Sequence, residues 1–212
     1  KSNDTNDIKG GERCFYTKDN AMRIDTIRDY INEIPKKYRD YVMGNLLVKS
    51  SIHTNTGGVF KGFYKDKMNG KGCWGGSGGN ALSRIKGKII LDKIIWNNDN
   101  KYIYKGYNED INILIKKSDI CDLDVIYLDP PYNQHPYGSN YFMLNTIIKN
   151  EIIDNISKIS GIPDDWNRSK YNSNKDIKTT MIDLLDNCLL KSKYVILSYN
   201  DEGFIDKKGW DE

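Results

Sequence analysis

The stretch YLDPPYNQHPYGSNY, residues 127–141, sets an acid, two prolines and a tyrosine side by side at the end of an apolar run. Pro130 and Pro131 fix two φ angles, and Asp129 before them is restricted to extended backbone. The Asp129 carboxylate and the Pro130 carbonyl then form a rigid pair of hydrogen-bond acceptors, with the ring of Tyr132 beside them. The alternative is that Asp129 only caps a turn, as Asp-Pro pairs often do.

Two rigid acceptors beside an aromatic face suit a planar ring that carries an NH2 group, such as adenine or cytosine. The lone pair of that nitrogen is delocalised into the ring, so the nitrogen is a poor nucleophile. Acceptors that hold both hydrogens draw the nitrogen towards tetrahedral geometry and localise the lone pair, while Tyr132 stacks on the ring. Transfer of an electrophilic methyl group held in line then needs positioning and electrostatics rather than a strong base.

An α/β core is predicted to position these residues. The run LDVIYLD, residues 123–129, predicts a strand buried on both faces, with Asp129 at the carboxyl end, where open parallel sheets bind ligands. Helix and strand patterns alternate around it, which predicts crossover connections and a parallel sheet with Asp129 on a central strand. The other elements are a strand at 101–107, a short helix at 109–117, a helix at 179–191 with Ile182, Leu185 and Leu189 inward, and a strand at 193–200.

The front of the chain is predicted to be helical. Apolar residues recur at three- and four-residue steps over residues 19–34, where Thr17 or Asp19 can cap the helix and Pro35 ends it. The recurring residues are Ala21, Ile24, Ile27, Ile31 and Ile34. A second helix is expected from about residue 38 to 51, with Val42, Leu46 and Leu47 inward.

Residues 57–87 are rich in glycine, lysine and aromatic residues, and predict an inserted, partly mobile lobe. Basic and aromatic residues that interleave in such a segment suit phosphate contact and base stacking. We therefore expect the segment to be poorly ordered alone and to become ordered on DNA; a solvated loop with a small satellite core is the alternative. The basic residues are Lys61, Lys65, Lys67, Lys71, Arg84 and Lys86, with Lys88 directly after the segment, and the aromatic ones are Phe60, Phe63, Tyr64 and Trp74. Residues 164–172 are a second candidate for DNA contact.

Composition narrows the functional classes. The 212 residues carry a formal charge of only +3, which excludes a broad basic surface that coats nucleic acid by charge alone. Four scattered cysteines and two histidines without ligand spacing argue against a metal site and a disulfide framework, and favour reduced thiols in the cytoplasm. No apolar run approaches the roughly 20 residues of a membrane span.

The chain resembles bacterial N6-adenine-specific DNA methyltransferases of restriction–modification type over nearly its whole length. The resemblance lies in DPPY after an apolar strand and in the segments ERCFYTKDNAMRIDTIRDYI, HTNTGGVFKGFYK, GGNALSRIKGKI, YNEDI, SGIPDDWNRSKYN and YVILSYNDEGFI. DPPY alone is shared with some RNA and protein methyltransferases, and the long extension after it favours the DNA enzymes.

The resemblance implies a Rossmann-like parallel-sheet core with an inserted helical and Gly-rich target-recognition region. It implies S-adenosyl-L-methionine as cofactor, no metal, and double-stranded DNA with a flipped adenine as substrate, with a cognate restriction endonuclease in the same system. Asp129, Pro130, Pro131 and Tyr132 match the catalytic motif. Asp110, Ile111 and Asp129 match cofactor-binding positions, although Asp110 taken alone reads as a helix N-cap. The expected DNA-binding residues are Lys61, Lys65, Arg84, Lys86 and Tyr137.

The glycine-rich F-x-G-x-G loop that the family places after its first strand is missing from the sequence. CWGGSGG at residues 73–79 has no strand pattern before it, so it favours a hinge or a DNA-facing loop. We expect a catalytic and target-recognition portion without the first half of the cofactor site. Its predicted parts are a loose segment (1–18), a helical region (19–54), the Gly-rich insert (55–100) and the catalytic portion (101–212). An RNA amino methyltransferase and a non-catalytic DNA-binding fragment remain as alternatives.

Overall fold

A computed structural model describes residues 8–76, 79–96, 101–151 and 153–211. The chain divides into two compact units, Lys1–Asn97 with Tyr137–Trp166, and Asn98–Pro136 with Asn167–Glu212. Residues 137–166, which the sequence analysis assigned to the catalytic portion, thus pack with the helical front of the chain. Among the described residues, no helix combines the length and the apolar character needed to cross a membrane.

The first unit is largely helical and the second holds a small sheet. The elements are α1 (Lys18–Glu33), α2 (Lys36–Ile52), α3 (Leu82–Lys86), α4 (Ile111–Leu114), β1 (Leu123–Leu128), α5 (Tyr137–Asn140), α6 (Phe142–Lys149), a 3₁₀ turn (Lys170–Asn172), α7 (Ile177–Lys191), β2 (Ser192–Leu197) and α8 (Lys207–Asp211).

The two front helices match their prediction closely. Thr17 caps α1, because its hydroxyl accepts a hydrogen bond from the Asn20 amide at 3.2 Å. Ile24 and Ile31 are buried on the predicted face. The second helix begins two residues earlier than predicted, at Lys36, and buries Leu46 completely, with Val42 and Leu47 packed against the same core.

The aromatic residues of the 57–87 segment pack inward. Phe60 is 1% exposed, and Phe15 packs against both Phe60 and Phe63, with ring centroids 6.1 and 5.3 Å apart. Tyr64 and Trp74 are partly buried. The predicted base-stacking role therefore finds no well-exposed ring among these four aromatic residues, and Phe60 and Phe63 are part of the core of the first unit.

Two side chains anchor the same segment at its ends. The amide of Asn55 donates to the Cys14 and Cys73 carbonyls, both at 2.8 Å, and its oxygen accepts from the Gly75 amide at 3.2 Å. The Arg84 guanidinium donates to the carbonyls of residues 52, 54 and 56. We therefore restrict the prediction that the segment becomes ordered on DNA to the residues between Asn55 and Arg84.

The second unit is built on two parallel strands. β1 pairs with β2 in a register that runs from Leu123↔Ser192 to Leu128↔Leu197, which confirms the predicted parallel arrangement. α7 packs on one face of this pair through Met181, Leu184 and Cys188. The family core would have a larger sheet, whereas the described residues form a sheet of two strands only.

The predicted inward face of α7 is right at Leu185, which packs against the core of the second unit, and wrong at Ile182 and Leu189. Ile182 is 52% exposed and Leu189 is 66% exposed, while residues 177, 181, 184 and 188 form the buried stripe. Apolar residues are adjacent at several points of this helix, so two neighbouring stripes have nearly the same pattern in sequence. Contact with the sheet selects between them.

Two further strand predictions are wrong. The structure assigns no strand at 101–107, where Ile103 is 97% exposed. β1 and β2 are not buried on both faces either, since Val125, Tyr127, Tyr194 and Ile196 are exposed on the side away from α7. A strand pattern becomes a strand only beside a partner, and a second face is buried only beneath a covering element.

Candidate active site

Asp129 lies directly after β1, at its carboxyl end, as the sequence predicts. The predicted central position of this strand is not found, because the described sheet has two strands. The Ser198 amide donates to the Leu128 carbonyl at 2.8 Å, so the ladder between the strands continues to the residue before Asp129. The two prolines that follow turn the chain with fixed φ angles. The Asp129 side chain is exposed, so its acceptor oxygens are accessible to a ligand.

A cavity of about 570 Å³ opens beside this turn within the second unit. Three segments line it, 108–111, 127–131 and 167–171, together with Leu184 from α7. The structure thus brings together five of the predicted site residues, which are Asp110, Ile111, Asp129, Pro130 and Pro131. A volume of this size is ordinary for a small-molecule site.

Tyr132 is held just beyond this wall. The Tyr132 ring packs against the Tyr199 ring in a T-shaped contact at a centroid distance of 6.2 Å, and Tyr199 in turn packs against Trp210 at 5.1 Å. The Phe204 amide donates to the Tyr132 carbonyl at 2.9 Å. These contacts hold the backbone and part of the ring in place, and leave the tyrosine 38% exposed.

Asp110 caps α4, which is the alternative that the sequence analysis kept open for it. One carboxylate oxygen accepts a hydrogen bond from the Asn112 amide at 2.9 Å. The same residue lines the cavity. Both roles are compatible, because a carboxylate has two oxygens and the cap uses one of them.

A polar network behind Asp110 joins three elements. The Asn112 side chain donates to Asp183 at 2.8 Å and to the Thr180 carbonyl at 3.0 Å, and accepts from the Tyr171 hydroxyl at 2.7 Å. Lys116 pairs with Asp183 at 2.8 Å, and these hydrogen bonds from Lys116 and Asn112 hold the pKa of Asp183 below its ordinary value. Burial raises the pKa of the Tyr171 phenol, so this hydroxyl is a donor at neutral pH.

This network and the cavity wall formed by residues 167–171 were not predicted from the sequence. Residues 167–171 were noted only as part of a segment that resembles the family and as candidates for DNA contact, and neither Asn112 nor Tyr171 was assigned a role. The available signal was the asparagine two positions after Asp110, since a capped four-residue helix needs other contacts to hold it in place.

The predicted DNA-binding residues all belong to the first unit. Lys61, Lys65 and Lys86 are exposed. Arg84 is partly buried, and its guanidinium donates hydrogen bonds to the three backbone carbonyls described above. Tyr137 is exposed and stacks on Tyr141 at a centroid distance of 5.5 Å and an interplanar angle of 23°. Contact of any of the five with DNA stays a prediction.

The Gly-rich CWGGSGG stretch does not form a strand–loop–helix unit. Its described residues follow a single antiparallel bridge between Lys65 and Gly72, and the helix after it, α3, has five residues. Gly75 and Gly76 adopt φ of +90° and +75°, which glycine tolerates and other residues avoid. Residues 77 and 78 lie outside the described residues.

Comparison with known proteins identifies the family of the chain. The family model for the D12 class N6 adenine-specific DNA methyltransferase matches residues 3–208. No curated protein and no solved structure matches the chain. Because the family match extends over nearly all of the 212 residues, the chain belongs to the D12 class of N6 adenine-specific DNA methyltransferases.

Proposed function

We propose that the protein transfers a methyl group from S-adenosyl-L-methionine to the N6 amino group of adenine in double-stranded DNA. The observation that carries the proposal is the cavity at the end of β1. Asp129, Pro130 and Pro131 line this cavity together with Asp110 and Ile111. Cytoplasmic action in a restriction–modification system, beside a cognate endonuclease, is part of the same proposal.

The substrate side of the reaction follows from the Asp129 turn. The target adenine must leave the duplex, because N6 cannot be reached inside the base stack. The Asp129 carboxylate and the Pro130 carbonyl then accept the two N6 hydrogens, and the partly exposed ring of Tyr132 stacks on the adenine ring. This arrangement localises the nitrogen lone pair, and its advantage is greatest in the transition state.

The remaining wall fits the nucleoside part of the cofactor. Asp110 offers a carboxylate to an amino group or a hydroxyl, and Ile111 and Leu184 offer apolar contact to a ring. Arg168 and Lys170 add positive charge to the same wall, which suits a carboxylate. When bound, S-adenosyl-L-methionine supplies the electrophilic methyl group.

A transfer assay with labelled cofactor tests the proposal. We expect label to enter duplex DNA as N6-methyladenine, and structured RNA of equal length to remain unlabelled. Labelled RNA with unlabelled DNA would instead support the RNA amino methyltransferase. DNA binding without cofactor binding or transfer would support the non-catalytic fragment.

Three exposed lysines are expected to carry part of the DNA contact. Changing Lys61, Lys65 and Lys86 together to Gln should weaken duplex binding and flatten its salt dependence. Each lost phosphate contact lowers the slope of log K against log salt by about 0.9. Binding isotherms at several salt concentrations measure both quantities.

The matched control removes the same charge elsewhere in the first unit. Lys36, Lys93 and Lys158 are also exposed, and their combined change to Gln should leave the salt slope close to that of the wild type. If both triple variants have the same slope, DNA contact lies elsewhere, and residues 164–172 become the better candidate.

A further inference from the structure

Two consecutive residues of the 3₁₀ turn, Tyr171 and Asn172, donate side-chain hydrogen bonds to two different segments of the second unit. The Tyr171 hydroxyl donates to the side-chain oxygen of Asn112 at 2.7 Å. The Asn172 side-chain amide donates to the backbone carbonyl of Asn133, also at 2.7 Å. The backbone amide of Tyr171 donates to the Ser169 hydroxyl at 3.2 Å, which holds the start of the turn. One short turn therefore links both segments.

The bond from Tyr171 bears on Asp110. Asn112 lies two residues after Asp110, and its backbone amide donates to the Asp110 carboxylate at 2.9 Å. A four-residue helix such as α4 is too short to be stable alone, so the position of Asp110 beside the cavity depends on contacts of this kind. Tyr171 is 6% exposed and belongs to the core of the second unit, which holds its ring in place.

The bond from Asn172 bears on the turn that contains Asp129. Asn133 directly follows the DPPY motif, and the two prolines of that motif have no backbone N–H to donate. The end of the motif is held through carbonyls instead. The Tyr132 carbonyl accepts from the Phe204 amide at 2.9 Å, and the Asn133 carbonyl accepts from Asn172. Loss of the Asn172 side chain would remove one of these two constraints.

We propose that Tyr171 and Asn172 are positioning residues with separate targets in the methyl-transfer site. Tyr171 acts through Asn112 on Asp110, which the proposed function assigns to the cofactor. Asn172 acts on the Asp129 turn, which the proposed function assigns to the adenine. This inference rests on the proposed function and deepens it, because two neighbouring side chains then control cofactor affinity and turnover separately.

The experiment compares Tyr171→Phe and Asn172→Ala with two matched controls. Tyr171→Phe keeps the buried ring and removes only the hydroxyl. Tyr194→Phe makes the same change at a tyrosine of β2 that is 68% exposed, and Asn174→Ala removes an exposed asparagine two residues after Asn172. The dissociation constant of labelled S-adenosyl-L-methionine is measured without DNA, and kcat is measured with duplex DNA at saturating cofactor.

The two variants should have opposite profiles. We expect Tyr171→Phe to raise the cofactor dissociation constant about fivefold, the scale of one neutral hydrogen bond, and to leave kcat near the wild-type value. We expect Asn172→Ala to lower kcat about tenfold, because a small misplacement of the reacting groups is costly, and to leave cofactor affinity near the wild-type value. Both controls should match the wild type in both quantities.

Two results would overturn the proposal. A turn with a merely structural role would change cofactor affinity and kcat together in both variants, without the separation between them. A variant that matches its own control in the quantity assigned to it would show that its hydrogen bond does not position the site.

Hydrogen exchange of the free protein tests the two bonds without cofactor or DNA. Tyr171→Phe should speed exchange of the Asn112 amide, which the Asp110 carboxylate holds. Asn172→Ala should speed exchange of the His135 amide, which donates to the Asn133 side chain at 3.0 Å. A wild-type protein that binds no cofactor would refute the proposed function. Unchanged exchange of these amides in the two variants would refute the positioning roles, whether or not cofactor binds.

Discussion

Replacing Asp129 by alanine is expected to lower the turnover of methyl transfer by about 10²–10³-fold, the scale for one preorganised group that acts in the transition state. The carboxylate accepts from the amino group most strongly as the nitrogen becomes tetrahedral, so its loss should reduce kcat more than it raises KM. The fold should persist, because the Asp129 side chain is exposed. Single-turnover rates with saturating cofactor measure the effect.

The control for Asp129 lies on the same strand. Asp124 is an exposed acid of β1 that pairs with Lys193 at 2.6 Å. Asp124→Ala removes the same charge near the same sheet and should leave turnover within about twofold, since exposed ion pairs contribute little. Tyr132→Ala should also weaken transfer, through lost stacking on the base. Near-normal turnover in Asp129→Ala would remove the residue from the chemistry.

The position of Asp129 could be predicted because its determinants are local. An apolar run of β-formers makes β1, and the two prolines that follow end it. The start of α1 is local in the same way, since Thr17 caps a helix whose apolar face recurs at regular steps. Each of these predictions needs only about a dozen consecutive residues.

The features that were mispredicted depend on what packs against a segment. The sequence of α7 contains two neighbouring apolar stripes, and contact with the sheet decides which is buried. Residues 101–107 have the composition of a strand but no paired neighbour in the structure. Burial is a property of the partner as much as of the segment, so periodicity alone cannot settle it.

The hydrogen bonds made by the side chains of Tyr171 and Asn55 could not be predicted, because they join residues that are far apart in sequence. Tyr171 and Asn112 are 59 positions apart, and Asn55 reaches the carbonyl of Cys14 over 41 positions. No spacing rule connects such pairs. A polar residue inside a Gly-rich segment reads as a loop residue until its buried partners are known.

Replacing Asn55 by alanine is expected to lower the free energy of unfolding of the first unit by about 3 kcal/mol or more. Asn55 is fully buried, and its side chain satisfies the carbonyls of Cys14 and Cys73 and the amide of Gly75. The substitution leaves these three backbone groups without that partner, and a buried unsatisfied group costs about 1–3 kcal/mol. Hydrogen exchange of the slowest amides in α1 and α2 measures the change.

The matched control is Asn145→Ala, which removes an exposed asparagine of α6 in the same unit and should change the free energy of unfolding by less than about 0.5 kcal/mol.

The same exchange experiment reports on the Gly-rich segment. With its anchor lost, residues 57–76 should exchange faster in Asn55→Ala even where α1 remains protected, because the Asn55 side chain ties the Cys73 carbonyl and the Gly75 amide to the carbonyl of Cys14. Equal protection of these residues in both variants would show that other contacts, the Arg84 guanidinium foremost among them, are sufficient to hold the segment in place.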